Sequence, residues 1–484
     1  MLLRCFSVSV AIALFAGTTA IALPATPEGA AHLTEVMQHY LGHTPGVVSV
    51  SPEGETYRMA LDGTPLLAAA QIKGHVSPYV MALTDLGAGQ WALRVDQAFD
   101  LELDLPEVMT LSVRLERLTS TGLFDEALFS FSKAESVFAN LSVTEAIATP
   151  QGGSNRINYH VDEGRSTMTA TAAPMGGVDA RFGYELRGLA EAIVVSPEGG
   201  PGASLDLTAQ AQSYGASGRI DGLRTERLYA LAAWLVAHPS EGALRADQEA
   251  LKGLVGAALP LFDQFSMDGT MAAISLDTPV GSFLARTARI GVDLAGVVSA
   301  GRIREAIDLS GIEVPEALVP VWAKDLLPES VGFDIAVSRY DLAAPARMLL
   351  DLTDIAAASP LSPDDEAALL AAVLPEGFAE ITFAPGHVTG AGYDLRFEGA
   401  MQAPVDGMPG GSGRVSLTGV EQIIAALNAV PGGEGREIGM GIAMLRGIAK
   451  PDGATLVWTI DATNPGKVLI NDIDLMAFDR MGKP

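Results

Sequence analysis

The stretch 413–430, GRVSLTGVEQIIAALNAV, decides how the rest of the chain reads. Arg414-Val415-Ser416-Leu417 alternates like a strand, Gly419 breaks the run, and Val420, Ile423, Ile424, Leu427 and Val430 then fall at helical spacing. A second helical pattern covers 436–449, with Ile438, Ile442, Leu445 and Ile448 on one face, until Lys450-Pro451-Asp452-Gly453 stops it. Segments 455–461 and 467–473 are rich in β-formers and flank Asn464-Pro465-Gly466, where proline and glycine set turn angles that other residues resist. The order predicted is strand, helix, helix, hairpin. It describes a construction and carries no chemistry of its own.

Two earlier segments repeat this order more weakly. The first has helices from Arg224, with Leu228, Leu231, Ala232 and Leu235 in one stripe, and over 244–262, followed by strands 269–276 and 287–294. The second has strand 332–339, helices 345–357 and 363–373, and strands 380–383 and 387–398. Their spacing is irregular, which indicates a supersecondary repeat rather than a solenoid of fixed period.

Upstream the pattern changes. A helix is expected over 25–41, with Leu33, Val36, Met37, Tyr40 and Leu41 in register and Gly42 and Pro45 ending it. From 47 to 138 the period is two: Val48/Val50, Tyr57/Met59/Leu61, Trp91/Leu93/Val95, Phe99/Leu101/Leu103/Leu105 and Leu111/Val113/Leu115. Turns are expected at Pro52-Glu53-Gly54, Asp62-Gly63, Gly87-Ala88-Gly89 and Thr121-Gly122. Paired glycines then punctuate strands over 155–160, 166–172, 182–189 and 204–212. The fold class that follows is α+β: a long curved, mostly antiparallel β-sheet with inserted helix pairs. Segment 1–22 reads as a signal peptide, 23–215 as a mostly β half, and 216–484 as a half of strand-helix-helix-hairpin units continuing the sheet.

The export reading rests on Arg4, the apolar run 6–15 and the small-residue site Ala20-Ile21-Ala22, with Ala20 and Ala22 as the cleavage residues and Leu23 as the first mature residue. An uncleaved anchor is the alternative. No later run is long and apolar enough to span a bilayer, so no transmembrane segment is expected after processing. The only cysteine, Cys5, lies within the signal, so the mature chain would hold no thiol, which excludes disulfides, cysteine nucleophiles and thiolate metal sites. A disulfide-free exported chain of 484 residues with 48% hydrophobic content relies on its core, which points to a periplasm. Without Arg4, 30 basic residues face 58 acidic ones, a net charge of −28 that repels nucleic acid and anionic lipid surfaces.

The signal segment, the long period-two strands and the run Ser416-Leu417-Thr418-Gly419-Val420 followed by Ile423-Ile424-Ala425-Ala426-Leu427 resemble a domain-of-unknown-function family of Gram-negative, alphaproteobacterial-type periplasmic proteins. That family is similar, more distantly, to AsmA-like envelope proteins. The resemblance covers most of the mature chain and rests on pattern, with no catalytic signature to match. It implies a long curved antiparallel sheet whose apolar concave face holds acyl chains. The sequence departs from the AsmA-like type in lacking an N-terminal membrane helix, which argues against membrane bridging.

Residues that suggest chemistry have simpler readings beside them. His32, Glu35, His39 and His43 fall near one helix face, and His39/His43 has zinc spacing, but solvated histidines explain the pattern as well. Ser130-Phe131-Ser132-Lys133 matches S-x-x-K inside a strand-like run, without the S-D-N or K-T-G that accompany it in penicillin-binding enzymes. Asp364-Asp365-Glu366 reads as a helix start, after Ser362 as cap and Pro363 at the first position. Asp461, Asn471, Asp472 and Asp474 lack calcium-loop spacing. The glycine-rich stretches 386–392 and 410–413 match no phosphate-binding pattern, and neither G-x-S-x-G nor H-E-x-x-H occurs.

No catalytic, cofactor or metal site is expected, therefore, and three function classes follow in order. The first is a non-enzymatic periplasmic protein holding lipid or another apolar ligand on an apolar groove built by Phe99, Leu101, Leu103, Leu105, Leu111, Val113 and Leu115. The second is a structural or protein-interaction module of the envelope, and a second sheet folded over those strands would favour it. The third is an exported hydrolase with dispersed carboxylates. The acidic balance makes a neutral or zwitterionic lipid the expected ligand.

Overall fold

Thr26 accepts a hydrogen bond from Gly29 N (3.1 Å) and starts helix α1 (Pro27–Leu41), which buries Ala30, Leu33 and Tyr40 and ends at Gly42, φ 77°. The computed structural model describes residues 24–148, 153–196, 204–238, 240–354, 362–431, 434–464 and 466–475. The signal peptide and its cleavage residues Ala20 and Ala22 lie outside them. The chain divides into two compact units, Met1–Met267 with Ala346–Ser362 and Asp268–Pro345 with Pro363–Pro484. Both are built mainly of antiparallel sheet with helices added.

In the first unit, hairpin β1 (Val48–Glu53) and β2 (Thr56–Leu61) is followed by a short helix α2 (Thr64–Ala69) that the Asp62-Gly63 turn signal had not suggested. Then come β3 (Lys73–Val76), β4 (Tyr79–Gly87), β5 (Gln90–Leu105), β6 (Met109–Asp125), β7 (Ser130–Ala148), β8 (Ser154–Ala172), β9 (Val178–Ser196) and β10 (Leu205–Leu223). Each of β5 to β9 pairs antiparallel with the next, through to β10. On the outer edge of β5, β4 pairs with 90–94 and β3 with 101–104, end to end.

Several expected breaks are absent. Thr121-Gly122 is not a turn: β6 runs through it, and Gly122 sits opposite Leu93 and Ala134. Segments 155–160 and 166–172 are one strand, β8. Its Gly164 lies under the Phe138 ring, where an added Cβ would come within 2.1 Å of a ring carbon. Gly215, where the sequence suggested a boundary, lies inside β10 opposite Glu185.

Strands β6 to β10 each absorb one extra residue. The ladders skip Glu116, Asn140, Asp162, Gly188 and Gln212, a line crossing β6 to β10. Asn140 (φ 51°) and Gly188 (φ 61°) are in the left-handed region, and an added Cβ at Gly188 would meet the Asp162 carboxylate. On either side of the skipped residue the alternation reverses: Val113 is buried before it in β6, and Leu118 and Ser120 after it. β5 keeps one alternation from Trp91 to Leu105 and pairs with both halves, so the apolar side chains stay on a single face.

The half of that face beneath α1 is the core of the unit. Trp91, Leu93, Val95, Leu118 and Ala134 pack with Tyr57, Met59, Met81 and Leu83 and with Ala30 and Leu33 of α1. Each large apolar side chain buried here contributes roughly 1.5–3 kcal/mol. Helices α3 (Thr225–Ala237), α4 (Glu241–Ala246) and α5 (Gln248–Ala258) follow β10. Tyr229 of α3 meets Tyr40 edge-on at 4.6 Å. The single helix expected over 244–262 is thus two, with Asp247 between them.

β11 (Gln264–Thr278) runs from the first unit into the second. The second unit continues with β12 (Gly281–Ala295), β13 (Gly301–Ser310), β14 (Pro328–Tyr340), α6 (Ala343–Leu352), α7 (Pro363–Val373), β15 (Phe378–Gly390), β16 (Tyr393–Pro404) and β17 (Gly410–Thr418). After these come α8 (Val420–Asn428), α9 (Glu434–Gly447), β18 (Lys450–Asp452), β19 (Thr455–Asp461), β20 (Leu469–Ile470) and β21 (Ile473–Asp474). β12 to β17 pair in succession, and β19 joins β17.

Segment 387–398 is not one strand: the chain turns after Gly390, and β15 and β16 extend well beyond the residues expected. Lys450-Pro451-Asp452 is itself a strand, folded onto β19 at Gly453 (φ 62°). At the end of this unit Leu417, Val420 and Trp458 form a buried cluster with Ile423 and Ile424 of α8 and Ile442 of α9. Trp458 Nε1 donates to Leu445 O at 2.8 Å.

Candidate functional site: the apolar sheet face of the first unit

The residues singled out on β5 and β6 lie opposite one another. Phe99 pairs with Leu115, Leu101 with Val113, and Leu103 with Leu111, while Leu105 faces Met109. Directly paired residues share a face, so all seven expected residues are on one side of the sheet. Val113 is buried and the other six are partly exposed, in contrast to Val95 and Leu118 under α1, each 2% exposed.

The rows continue across β7 to β10. Leu115 leads to Leu141, Val161, Leu189 and Ala211; Val113 leads to Val143, Tyr159, Glu191 and Ala209. Leu111 leads to Glu145, Ile157, Ile193 and Leu207, and Met109 to Ile147, Asn155, Val195 and Leu205. Across six strands and four rows these positions cover on the order of 500 Å² of sheet, from strand spacings of about 4.8 Å and a rise of about 3.4 Å per residue, all apolar except Glu145, Asn155 and Glu191. Leu205 at its edge is 44% exposed. The alternation of Leu141/Val143/Ile147 and Ile157/Tyr159/Val161 is legible in the sequence, but the skipped residues at 140 and 162 hide its continuity with the rest of each strand.

The reverse side is wet and paired. Arg114 Nε donates to Asp100 Oδ1 at 2.9 Å, Thr144 Oγ1 to Asn158 Oδ1 at 3.1 Å, and Ser142 Oγ lies 3.2 Å from His160 Nδ1. Arg117 binds Asp96 through two contacts of 3.1 Å, and that hydrogen bonding holds the Asp96 carboxyl below the usual aspartate range. Burial pushes the Tyr79 phenol, near the core, up to about 12, against a hydrogen bond to Ser120 that lowers it.

The other sequence candidates do not converge. His32 Nε2 lies 3.0 Å from Glu126 Oε1, which also accepts from Trp91 Nε1 at 2.6 Å. His39 packs against Phe129 and Tyr40, His43 Nδ1 is 3.3 Å from Gln38 Oε1, and Glu35 is exposed. Ser130 opens β7, with Lys133 exposed further along it. Asp364, Asp365 and Glu366 occupy the first turn of α7.

Near the last strands the candidates Asp461, Asn471 and Asp472 each have a structural partner. Asn471 Oδ1 accepts from Thr459 N and Oγ1, and its Nδ2 donates to Ile448 O and Val457 O. Asp461 accepts from Thr463, and Lys450 Nζ donates to Asp472 at 3.0 Å. The glycines Gly399, Gly411 and Gly413 fit the close approach of β16 and β17. Among the described residues no three His, Cys, Asp or Glu groups gather as metal ligands, and no helix is long and apolar enough to cross a membrane. Comparison with protein-family models, curated proteins and solved structures returns no match.

Proposed function

We propose that the protein is a non-enzymatic component of the periplasm that holds a neutral or zwitterionic lipid against the apolar face of its first unit. The observation that carries this reading is the four-row register from β5 to β10, which places Phe99, Leu101, Leu103, Leu105, Leu111, Val113 and Leu115 with their neighbours on a partly exposed apolar surface. An apolar patch of that size is at the upper end of what monomers carry, and such patches are often functional. The charge of −27 disfavours an anionic headgroup. In this reading the runs β10–α3–α4–α5, β14–α6–α7 and β17–α8–α9 are copies of one strand-helix-helix-hairpin construction, the chain is of the AsmA-like kind, and it is exported after cleavage behind Ala22. N-terminal sequencing of the exported protein should then begin at Leu23, and intact Met1 in a membrane fraction would contradict export by cleavage. For the ligand, the protein is purified without detergent, its organic extract is analysed by mass spectrometry, and it is titrated with a fluorescent single-chain lipid. Absence of both co-purifying lipid and a saturable signal would leave the structural-module reading in its place.

A further inference from the structure

We propose that Glu145 and Glu191 select, on this face, a zwitterionic lipid whose headgroup ends in an ammonium; the inference rests on the lipid reading above. Both glutamates occupy positions that the register assigns to the apolar side. Glu145 stands between Leu111 and Ile157, and Glu191 between Tyr159 and Ala209. Each is partly buried, and neither has an ion-pair partner among the described residues. On the reverse side three neighbouring carboxylates are paired, Asp100 with Arg114, Asp96 with Arg117 and Glu163 with Arg187, and the others there stand on a wet, polar surface instead of among apolar side chains.

No Lys, Arg or His occupies any position of the four apolar rows from β5 to β10. A lipid laid over unpaired carboxylates would strip water from them, which is costly unless the lipid supplies a positive charge. An ammonium, quaternary or not, does so, and its attraction strengthens as the site dries. A fatty-acid carboxylate would meet two like charges, and a glycerol headgroup would leave both uncompensated.

The geometry also orients the lipid. The apolar side of β5 and β6 is without polar residues from Phe99 to Leu105 and from Met109 to Leu115. Glu145 and Glu191 lie on β7 and β9, either side of β8. From β8 to β5 is three strand spacings, about 14 Å, a run over which an acyl chain lies on hydrocarbon while the ammonium rests between the two carboxylates.

The test compares three single-chain lipids of equal acyl length below their aggregation concentrations: a phosphocholine, a monoacylglycerol and a fatty acid. They are titrated against the full chain and against Glu145→Gln/Glu191→Gln at low ionic strength. The phosphocholine is expected to bind about tenfold more tightly than the monoacylglycerol, with the fatty acid weakest. In the double variant the first two should become equal while affinity for the monoacylglycerol is kept or rises. A control variant, Glu102→Gln/Glu185→Gln, makes the same charge change on the reverse side and should keep the preference. Equal binding of phosphocholine and monoacylglycerol by the unaltered protein, or a preference that survives in the double variant, overturns this inference and leaves the lipid reading standing. Failure of all three lipids to bind overturns the lipid reading itself.

Discussion

Asn140 Nδ2 donates to Glu116 Oε2 at 2.6 Å across β6 and β7, and the ladder between those strands skips both residues. This contact lies on the line of extra residues that reverses side-chain alternation in β6 to β10 and so keeps one face apolar along strands of up to 19 residues. Asn140 holds φ 51°, a conformation asparagine tolerates and β-branched residues resist. Asn140→Val should cost about 1–3 kcal/mol in denaturant unfolding, whereas Asn140→Gly should stay within about 0.5 kcal/mol of the parent. Equal stabilities for the two variants would remove the backbone argument.

Tyr40 is buried at 5% exposure among Phe124, Phe129 and Tyr229, and its hydroxyl has no hydrogen-bond partner among the described residues. A buried hydroxyl without a partner is destabilising. Tyr40→Phe should therefore raise stability by about 1 kcal/mol, read as an increase in Tm. A lower Tm would show that the hydroxyl is in fact bonded.

The raised Tyr79 pKa fixes a direction for alkaline stability. The folded state favours the neutral phenol, so its contribution is complete below about pH 10, the unfolded value, and is lost as pH rises through about 12. Denaturation midpoints measured between pH 9 and 12 should fall for the parent and fall less steeply for Tyr79→Phe. Parallel curves would contradict the assignment.

In the second unit, Asn471 joins Thr459 to the end of α9 through four hydrogen bonds. Asn471→Ala leaves Ile448 O and Val457 O without that donor and should cost about 2–4 kcal/mol. Asp472→Ala, which removes an exposed contact to Lys450, should cost less than about 1 kcal/mol. Thermal unfolding of both variants distinguishes a structural asparagine from one of a calcium set, whose members would respond together and only with the ion present.

Much of the architecture was legible because period and turn chemistry are local properties. α1, its Gly42 stop, the helix start at Pro363 and the strand-to-helix break at Gly419 all fall where the spacing put them. The misreadings share one cause. Thr121-Gly122 looks like a turn, and 161–165 like a gap, because a glycine inside a long strand is indistinguishable by composition from one that ends it. What keeps Gly122 and Gly164 in strand is a neighbour distant in sequence, Ala134 or the Phe138 ring. The seven residues of β5 and β6 were found because their alternation is uninterrupted. Their extension through β7 to β10, and the placement of Glu145 and Glu191 among apolar side chains, depend on cross-strand register, which no single segment encodes.

The central claim is that the face carrying Leu101 and Leu111 binds lipid. It is tested most directly by titrating a fluorescent single-chain phosphocholine against the parent and against Leu101→Ser/Leu111→Ser, two partly exposed positions where the change should leave the fold intact by circular dichroism. The account predicts saturable binding to the parent and a loss of about tenfold or more in the variant; identical titration curves for two equally folded proteins would contradict it.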